Sequence, residues 1–257
     1  MKQAHSKGLI FSILLVVFLA NQSGYGQKDY SRKEKIIYEQ YRSVTSNFEK
    51  GKKLFGGGNI LKARKEFQTV IERMKEHAEA HYFLSRISYQ ENKYDEALSH
   101  IQDAKDNYAF IAKMKVNMHA NMLLELRDIK ESILEQLAGY GSASKTNPAV
   151  TRLHGKLHTI NSRLNEPIPK TEGIPAGYFY FHGNILAKLN EFQEAHDQYL
   201  EAVRINPKHG DAYNNLASLY YMVKKYSQAM EYLKLAEENG AQVNPIFKEE
   251  LVKRLQR

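Results

Sequence analysis

Cysteine and tryptophan are both absent from the 257 residues. Without cysteine the chain has no disulfide framework, no thiol nucleophile, no cysteine-rich zinc site and no residue to carry a lipid after a leader. Long basic runs are missing too. The cluster Lys62, Arg64 and Lys65 is followed at once by Glu66, and such mixed signs suit a solvated helical surface rather than a nucleic-acid stripe. No apolar run reaches spanning length: the longest, Leu9 to Ala20, has 12 residues, against the roughly 20 that a membrane helix needs.

That short run sits in an ordered context. Lys2 and Lys7 precede it, and Ser23, Gly24 and Gly26 follow, an order of charge, apolar core and small residues that predicts a signal peptide over residues 1–26. Cleavage would leave Gln27 first, with the protein exported to the periplasm or outside the cell; an uncleaved leader acting as a membrane tether is the alternative. Loss of the leader removes two lysines and no acid, lowering the formal charge from +8 to +6. A mildly basic surface of this kind favours acidic partners. Apolar burial alone must then hold the remaining 231 residues together, which is ample length for a core.

What the chain does contain is an internal repeat. At a shift of 34, Gly51 falls on Ser85, Ala63 on Ala97 and Phe67 on Ile101, while Gly183 falls on Ala217, Ala195 on Ala229 and Tyr199 on Leu233. Both halves fit one template of two antiparallel helices. A small residue midway along the first helix lets the second approach, and an alanine early in the second receives it. The stretches "NKYDEAL", "NEFQEAH" and "KKYSQAM" each give a break, an aromatic, two polar residues and alanine, and Pro207 in "INPKHG" stops one unit before the next.

These residues resemble the tetratricopeptide repeat (TPR) family over residues 44–107 and 176–242. The resemblance implies an all-α fold: a TPR-type α-solenoid of stacked helix pairs. Two departures stand out. "FGGGNI" gives the first repeat isoleucine in place of the aromatic, and His182 occupies a position where leucine is usual.

Ala97 and Ala195 lie 98 residues apart, which is not a multiple of 34, so an unlike segment separates the repeat pairs. Within it Ile111, Met114, Met118, Met122, Leu126, Ile129, Ile133 and Leu137 recur at steps of three and four, as do Val150, Leu153, Leu157, Ile160 and Leu164. Two such stripes joined by a short polar link predict an inserted αα-hairpin. The expected organisation is a leader (1–26), an N-terminal helix and two repeats (27–107), the hairpin with a proline-containing connector "NEPIPKTEGIP" (108–173), two repeats (174–243) and a closing helix (244–257). Ser31 with Glu34 reads as a capping box for the first helix, and Asn244 with Pro245 as the start of the last.

Catalytic motifs find little support. "GYGSASKT" is one glycine short of a phosphate-binding loop and follows a helix rather than a strand, so it reads as the hairpin's turn. His154 and His158 have the H-x-x-x-H spacing that places two imidazoles on one helix face, with His119 a candidate third ligand, but Gly155 stands where a zinc protease needs glutamate. A metal-dependent enzyme or metal-binding protein built on that pair is the alternative reading. Glu237 and Glu238 are adjacent and so point to different parts of a helix surface. No cofactor is expected.

What the resemblance implies instead is a non-catalytic scaffold for a protein or peptide, with no nucleic-acid partner. In this family the first helix of each repeat lines the concave groove. That carries the role to Phe48, Lys52, Phe55, Tyr82, Arg86, Tyr89, Gln90, Tyr180, Asn184, Asn214 and Tyr221, with Lys188 and Ser218 beside them. Lys52 and Arg86 among aromatic walls suit an extended peptide bearing an acidic group or a free carboxylate. Asn184 and Asn215 match two asparagines of the family's carboxylate-clamp version, but tyrosine takes the place of its first lysine, and the match stops there.

Overall fold

In a computed structural model, residues 32–140, 147–167 and 173–256 are described. The proposed leader, Ser31 of the capping box, residues 141–146 of the glycine-containing turn and 168–172 of the connector lie outside them. Among the described residues there are ten helices and no strand: α1 (Arg32–Gly56), α2 (Ile60–Arg73), α3 (Ala78–Gln90), α4 (Tyr94–Gly139), α5 (Pro148–Leu164), α6 (Ala176–Lys188), α7 (Phe192–Ile205), α8 (Gly210–Met222), α9 (Tyr226–Glu238) and α10 (Pro245–Leu255). None of them is long and apolar enough to cross a membrane.

The chain divides into two compact units. One contains described residues 40–111 and 173–256, the other 32–39 and 112–167. Two of the three boundaries, after residues 39 and 111, fall inside helices. The helix expected before the first repeat is continuous with that repeat's first helix, as α1, and the second repeat's second helix does not stop at residue 107 but runs through 46 residues as α4. The reason is legible afterwards: between Tyr94 and Leu137 the sequence holds no proline or glycine, so nothing there breaks the helical hydrogen bonding.

Four helix pairs make the larger unit: α1–α2, α3–α4, α6–α7 and α8–α9. The turn inside each pair has the same geometry. Gly58, Asn92, Asn190 and Lys224 have φ of 77°, 60°, 64° and 61°, and each following amide (Asn59, Lys93, Glu191, Lys225) donates to the carbonyl five residues back at 2.9 Å. This is the left-handed helix ending in which a Schellman-type bond satisfies an orphan carbonyl. Glycine and asparagine accept that conformation readily; Lys224 does so at a cost.

Packing within each pair refines the template. A β-carbon on Gly51 would lie 2.7 Å from the Phe67 ring, and one on Gly183 would lie 2.6 Å from the Tyr199 ring. What crowds the small residue is therefore the side chain one turn after the alanine, rather than the alanine itself. Where that side chain is aromatic (Phe67, Tyr199) the opposing residue is glycine. Where it is aliphatic (Ile101, Leu233) the opposing residue is Ser85 or Ala217, all fully buried. Ser85 also donates to the Ala97 carbonyl at 2.7 Å.

The second and third pairs stack directly, although the insert separates them in sequence. Ala97, Ile101, Ala104, Tyr178 and Ile185 form one core cluster. Tyr82 stacks on Tyr178 with ring centres 4.2 Å apart, and Tyr89 meets Phe181 edge-on at 5.2 Å. Lys105 reaches across to the third pair, donating to His182 Nδ1 at 3.2 Å and Gln198 Oε1 at 2.8 Å. The departure at His182 is thus a buried polar contact.

In the smaller unit Leu126, Ile133 and Ile160 pack with Met122, Leu137, Leu153, Leu157 and Leu164, which is the expected hairpin. Its stripe is not uniform. Ile129 is 49% exposed, while Val116 and Leu123, off the stripe, are buried. At its far end Asn147 accepts the Ala149 amide at 2.9 Å and Pro148 opens α5. Asn244 and Pro245 start α10 in the same way.

Candidate functional site

The first helices of the four pairs, α1, α3, α6 and α8, carry every residue expected to line a groove, and the structure gives those residues different roles. Phe48 is a correction: at 4% exposure it belongs to the core, tilted against His77 at 4.6 Å and Phe67 at 5.9 Å. Its position turns it toward the second helix, where burying a phenyl ring is worth more than showing it to a ligand. Lys52 is exposed, its ammonium 5.3 Å from the Phe48 ring centre and 3.1 Å from Glu49. That exposed pair contributes little to stability and yields easily to another anion.

Arg86 is the best-prepared cation. Its guanidinium lies over Phe55 at 4.9 Å and over Tyr82 at 5.7 Å, and among the described residues no carboxylate is within ion-pair distance. Phe55 is held edge-on to Phe83 at 5.3 Å; Tyr82 is fixed by its stack on Tyr178. The rings flatten and orient the guanidinium while its N–H fork stays free for an oxyanion. Burial raises the Tyr82 phenol above its usual range against the opposing field of Arg86, so the ring stays neutral beneath the cation. Gln90, at the end of α3, is exposed.

Further along the same unit, a cleft of about 260 Å³ brings together Tyr89, Asn184, Lys188, Tyr199, Asn215 and Ser218, with Phe192, Leu219 and Met222 also on its walls. Asn184 Oδ1 accepts from the Tyr199 hydroxyl at 2.9 Å and from Asn215 Nδ2 at 2.8 Å. With its oxygen committed, the group that Asn184 offers the cleft is an N–H donor, suited to a peptide carbonyl or a carboxylate. Burial keeps the Tyr199 phenol protonated well above its ordinary range, which holds this donor arrangement constant.

Tyr180 is half-buried and packs on His209, ring centres 4.6 Å apart. The Asn214 backbone carbonyl accepts from Ser218 at 3.1 Å. Tyr221 is engaged by the closing helix: its hydroxyl donates to Glu250 at 2.6 Å and its ring meets Phe247 at 5.3 Å. The last repeat's contribution is therefore partly covered by α10. The sequence reading missed a larger cleft of about 670 Å³ lined by Phe192, His196, Leu219, Tyr220, Met222 and Val223. Its signal was present in Met222, an exposed apolar residue where the preceding repeats place Gly56, Gln90 and Lys188.

His154 and His158 are both exposed on α5. Among the described residues the three potential metal ligands that come together are elsewhere: His81, His100 and Asp103.

Comparison with known proteins covers the repeats. The family described as "Tetratricopeptide repeat" matches residues 48–110, and that described as "TPR repeat" matches 183–224. Stress-induced-phosphoprotein 1 of Caenorhabditis elegans is 30% identical over 66 residues, covering 26% of this chain; the chain spans only 21% of that relative's length. Among solved structures, Pseudomonas aeruginosa PilF is 15% identical with a TM-score of 0.41, covering 85% of this chain and 86% of its own. The TPR2AB domain of yeast Sti1, in a complex with pHSP90, is 18% identical with a TM-score of 0.26, covering 84% and 98%. On these matches, residues 48–110 and 183–224 and the helix pairs that contain them are tetratricopeptide repeats.

Proposed function

We propose that the protein is an exported, non-catalytic scaffold that captures a peptide or protein partner along the face made by α1, α3, α6 and α8. Its preference is for a partner with an acidic side chain or a free carboxylate. The observation that supports this most directly is Arg86, a cation held over two aromatic rings with no carboxylate at ion-pair distance among the described residues. Lys52 lies on the adjoining first helix, in an exposed pair that a stronger anion displaces. An extended peptide anchored at Arg86 would run from the second pair toward the third, whose first helix is joined to α3 by the Tyr82–Tyr178 stack and leads to the Asn184 donor. Rings pack against side chains and donors fix the backbone, a division of labour usual where aromatic residues and arginine concentrate. Export rests on the leader-like residues 1–26.

The test uses mature protein purified from the envelope fraction, where Gln27 is the expected first residue. Fluorescence anisotropy with a labelled decapeptide rich in Asp and Glu and ending in a free carboxylate reads the affinity. Lys52→Ala with Arg86→Ala should weaken binding at least tenfold at low salt, about 1.4 kcal/mol, with a smaller change at high salt. Binding that is the same in the double variant at both salt concentrations would remove the charged groove.

A further inference from the structure

The second repeat contains a side-chain cluster that neither the groove nor the core requires. His81 on α3 faces His100 and Asp103 on α4. The two imidazole Nδ1 atoms are 3.1 Å apart, His81 Nδ1 is 3.5 Å from Asp103 Oδ2, and the three donor atoms all lie within 4.8 Å of one another. We propose that His81, His100 and Asp103 form a binding site for one divalent transition-metal ion of the zinc class.

Three features converge on this. The first is spacing. Four-coordinate zinc takes nitrogen ligands at about 2.0–2.1 Å and carboxylate oxygen at about 2.0–2.2 Å, so neighbouring donors around it are separated by about 3.3–3.6 Å. The two short separations here are close to that edge length, and the third closes with a small rotation of the half-exposed Asp103 side chain.

The second feature is orientation. His81 Nε2 lies 2.9 Å from the Lys75 carbonyl, a contact that places the proton on Nε2 and leaves the Nδ1 lone pair directed at His100 and Asp103. A backbone carbonyl fixing the far nitrogen is the usual way a ligating imidazole is held in its tautomer. Without metal, His100 satisfies the close contact by donating from Nδ1. With metal, that proton moves to His100 Nε2, where Glu96 Oε1 is 3.9 Å away and can accept it after a small adjustment.

The third feature is access. The cluster borders a cleft of about 390 Å³ lined by Ile71, Lys75, Glu76, His81, Asp103 and Asn107. His81 supplies a buried, rigid ligand and Asp103 the solvent-facing one, so an ion can enter from the cleft and keep a water in the fourth position. Two imidazoles and one carboxylate suit zinc in preference to magnesium or calcium, which take oxygen ligands. The ion would clamp the two helices of one repeat. His100 and Asp103 share a face of α4 at i, i+3, and His81 comes from the antiparallel neighbour.

Isothermal titration of chelator-treated protein with Zn2+ alone should give one ion per chain, with a rise in melting temperature. His100→Gln and Asp103→Asn should each weaken binding tenfold or more and abolish that rise. Loading with Co2+ should give the visible absorption of a four-coordinate N/O site, lost in the same variants. Both substitutions are at partly exposed positions, and unchanged far-ultraviolet circular dichroism of the metal-free variants would show that the repeat still folds. The double variant His154→Gln with His158→Gln should keep full stoichiometry. Absence of stoichiometric Zn2+ binding, or binding indifferent to His100→Gln and Asp103→Asn, would overturn the proposal.

Discussion

His182 is 8% exposed, and its Nδ1 shares the Lys105 ammonium with Gln198. Burial first, and the Lys105 charge second, push its pKa from the ordinary 6.5 down to about 4. The Lys105 ammonium is itself lowered by burial, against the raising effect of Asp106 and Glu201, so the two cations cannot comfortably coexist. Between about pH 6.5 and 4 the unfolded chain binds a proton at this histidine that the folded chain refuses. Stability is therefore fully present above the unfolded value and is lost as pH falls, by up to on the order of 3 kcal/mol. His182→Leu should flatten the loss between pH 6.5 and 4.5 in urea melts. An equal pH slope in the variant would show that the histidine is not responsible. The same residue shows a limit of sequence reading: its mismatch with the repeat pattern was visible, but its partners lie 77 and 16 positions away.

At the scale of the element, the helix pairs are governed by their turns. Gly58, Asn92 and Asn190 accept the left-handed conformation that ends each first helix; Lys224, with φ of 61°, is the exception. Its side chain gains nothing there that offsets the backbone cost, since residue 224 is exposed. Lys224→Gly should therefore stabilise the protein by about 0.5–1 kcal/mol, read as a higher urea midpoint with unchanged slope. A lower midpoint would mean that the lysine makes a contact worth more than its strain. The aligned turn residues were readable from the 34-residue shift, and the cap Asn244 from the proline that follows it. The continuity of α1 and α4 is not carried by the repeat, because a 34-residue period marks where a unit recurs and not whether the helix breaks there.

For the larger unit as a whole, the consequential contact is the junction between the second and third helix pairs. A solenoid transmits cooperativity only through neighbouring interfaces, and this one depends on Tyr178. Its ring is buried, stacked on Tyr82 and edge-on to Tyr108 at 5.4 Å. Tyr178→Ala should cost about 3–5 kcal/mol and split a single unfolding transition into two, followed by circular dichroism and tyrosine fluorescence. A single sharp transition with a small shift would mean that other contacts carry the coupling.

Sequence alone determined the repeat, its register and its small-residue pattern, because a period of 34 shows in the chain's comparison with itself; which side chain the small residue makes room for came from the helix packing. It also placed Arg86 on a first helix among aromatic residues. Tertiary structure decided what those side chains do. It buried Phe48, engaged Tyr221 with α10, and left Arg86 without an ion-pair carboxylate among the described residues. It also joined Tyr82 to Tyr178 across an insertion and brought His81 to His100 and Asp103. Each of these depends on which residues of different helices meet at a few ångströms, and helix packing fixes that by shape and burial over distances that no linear spacing encodes.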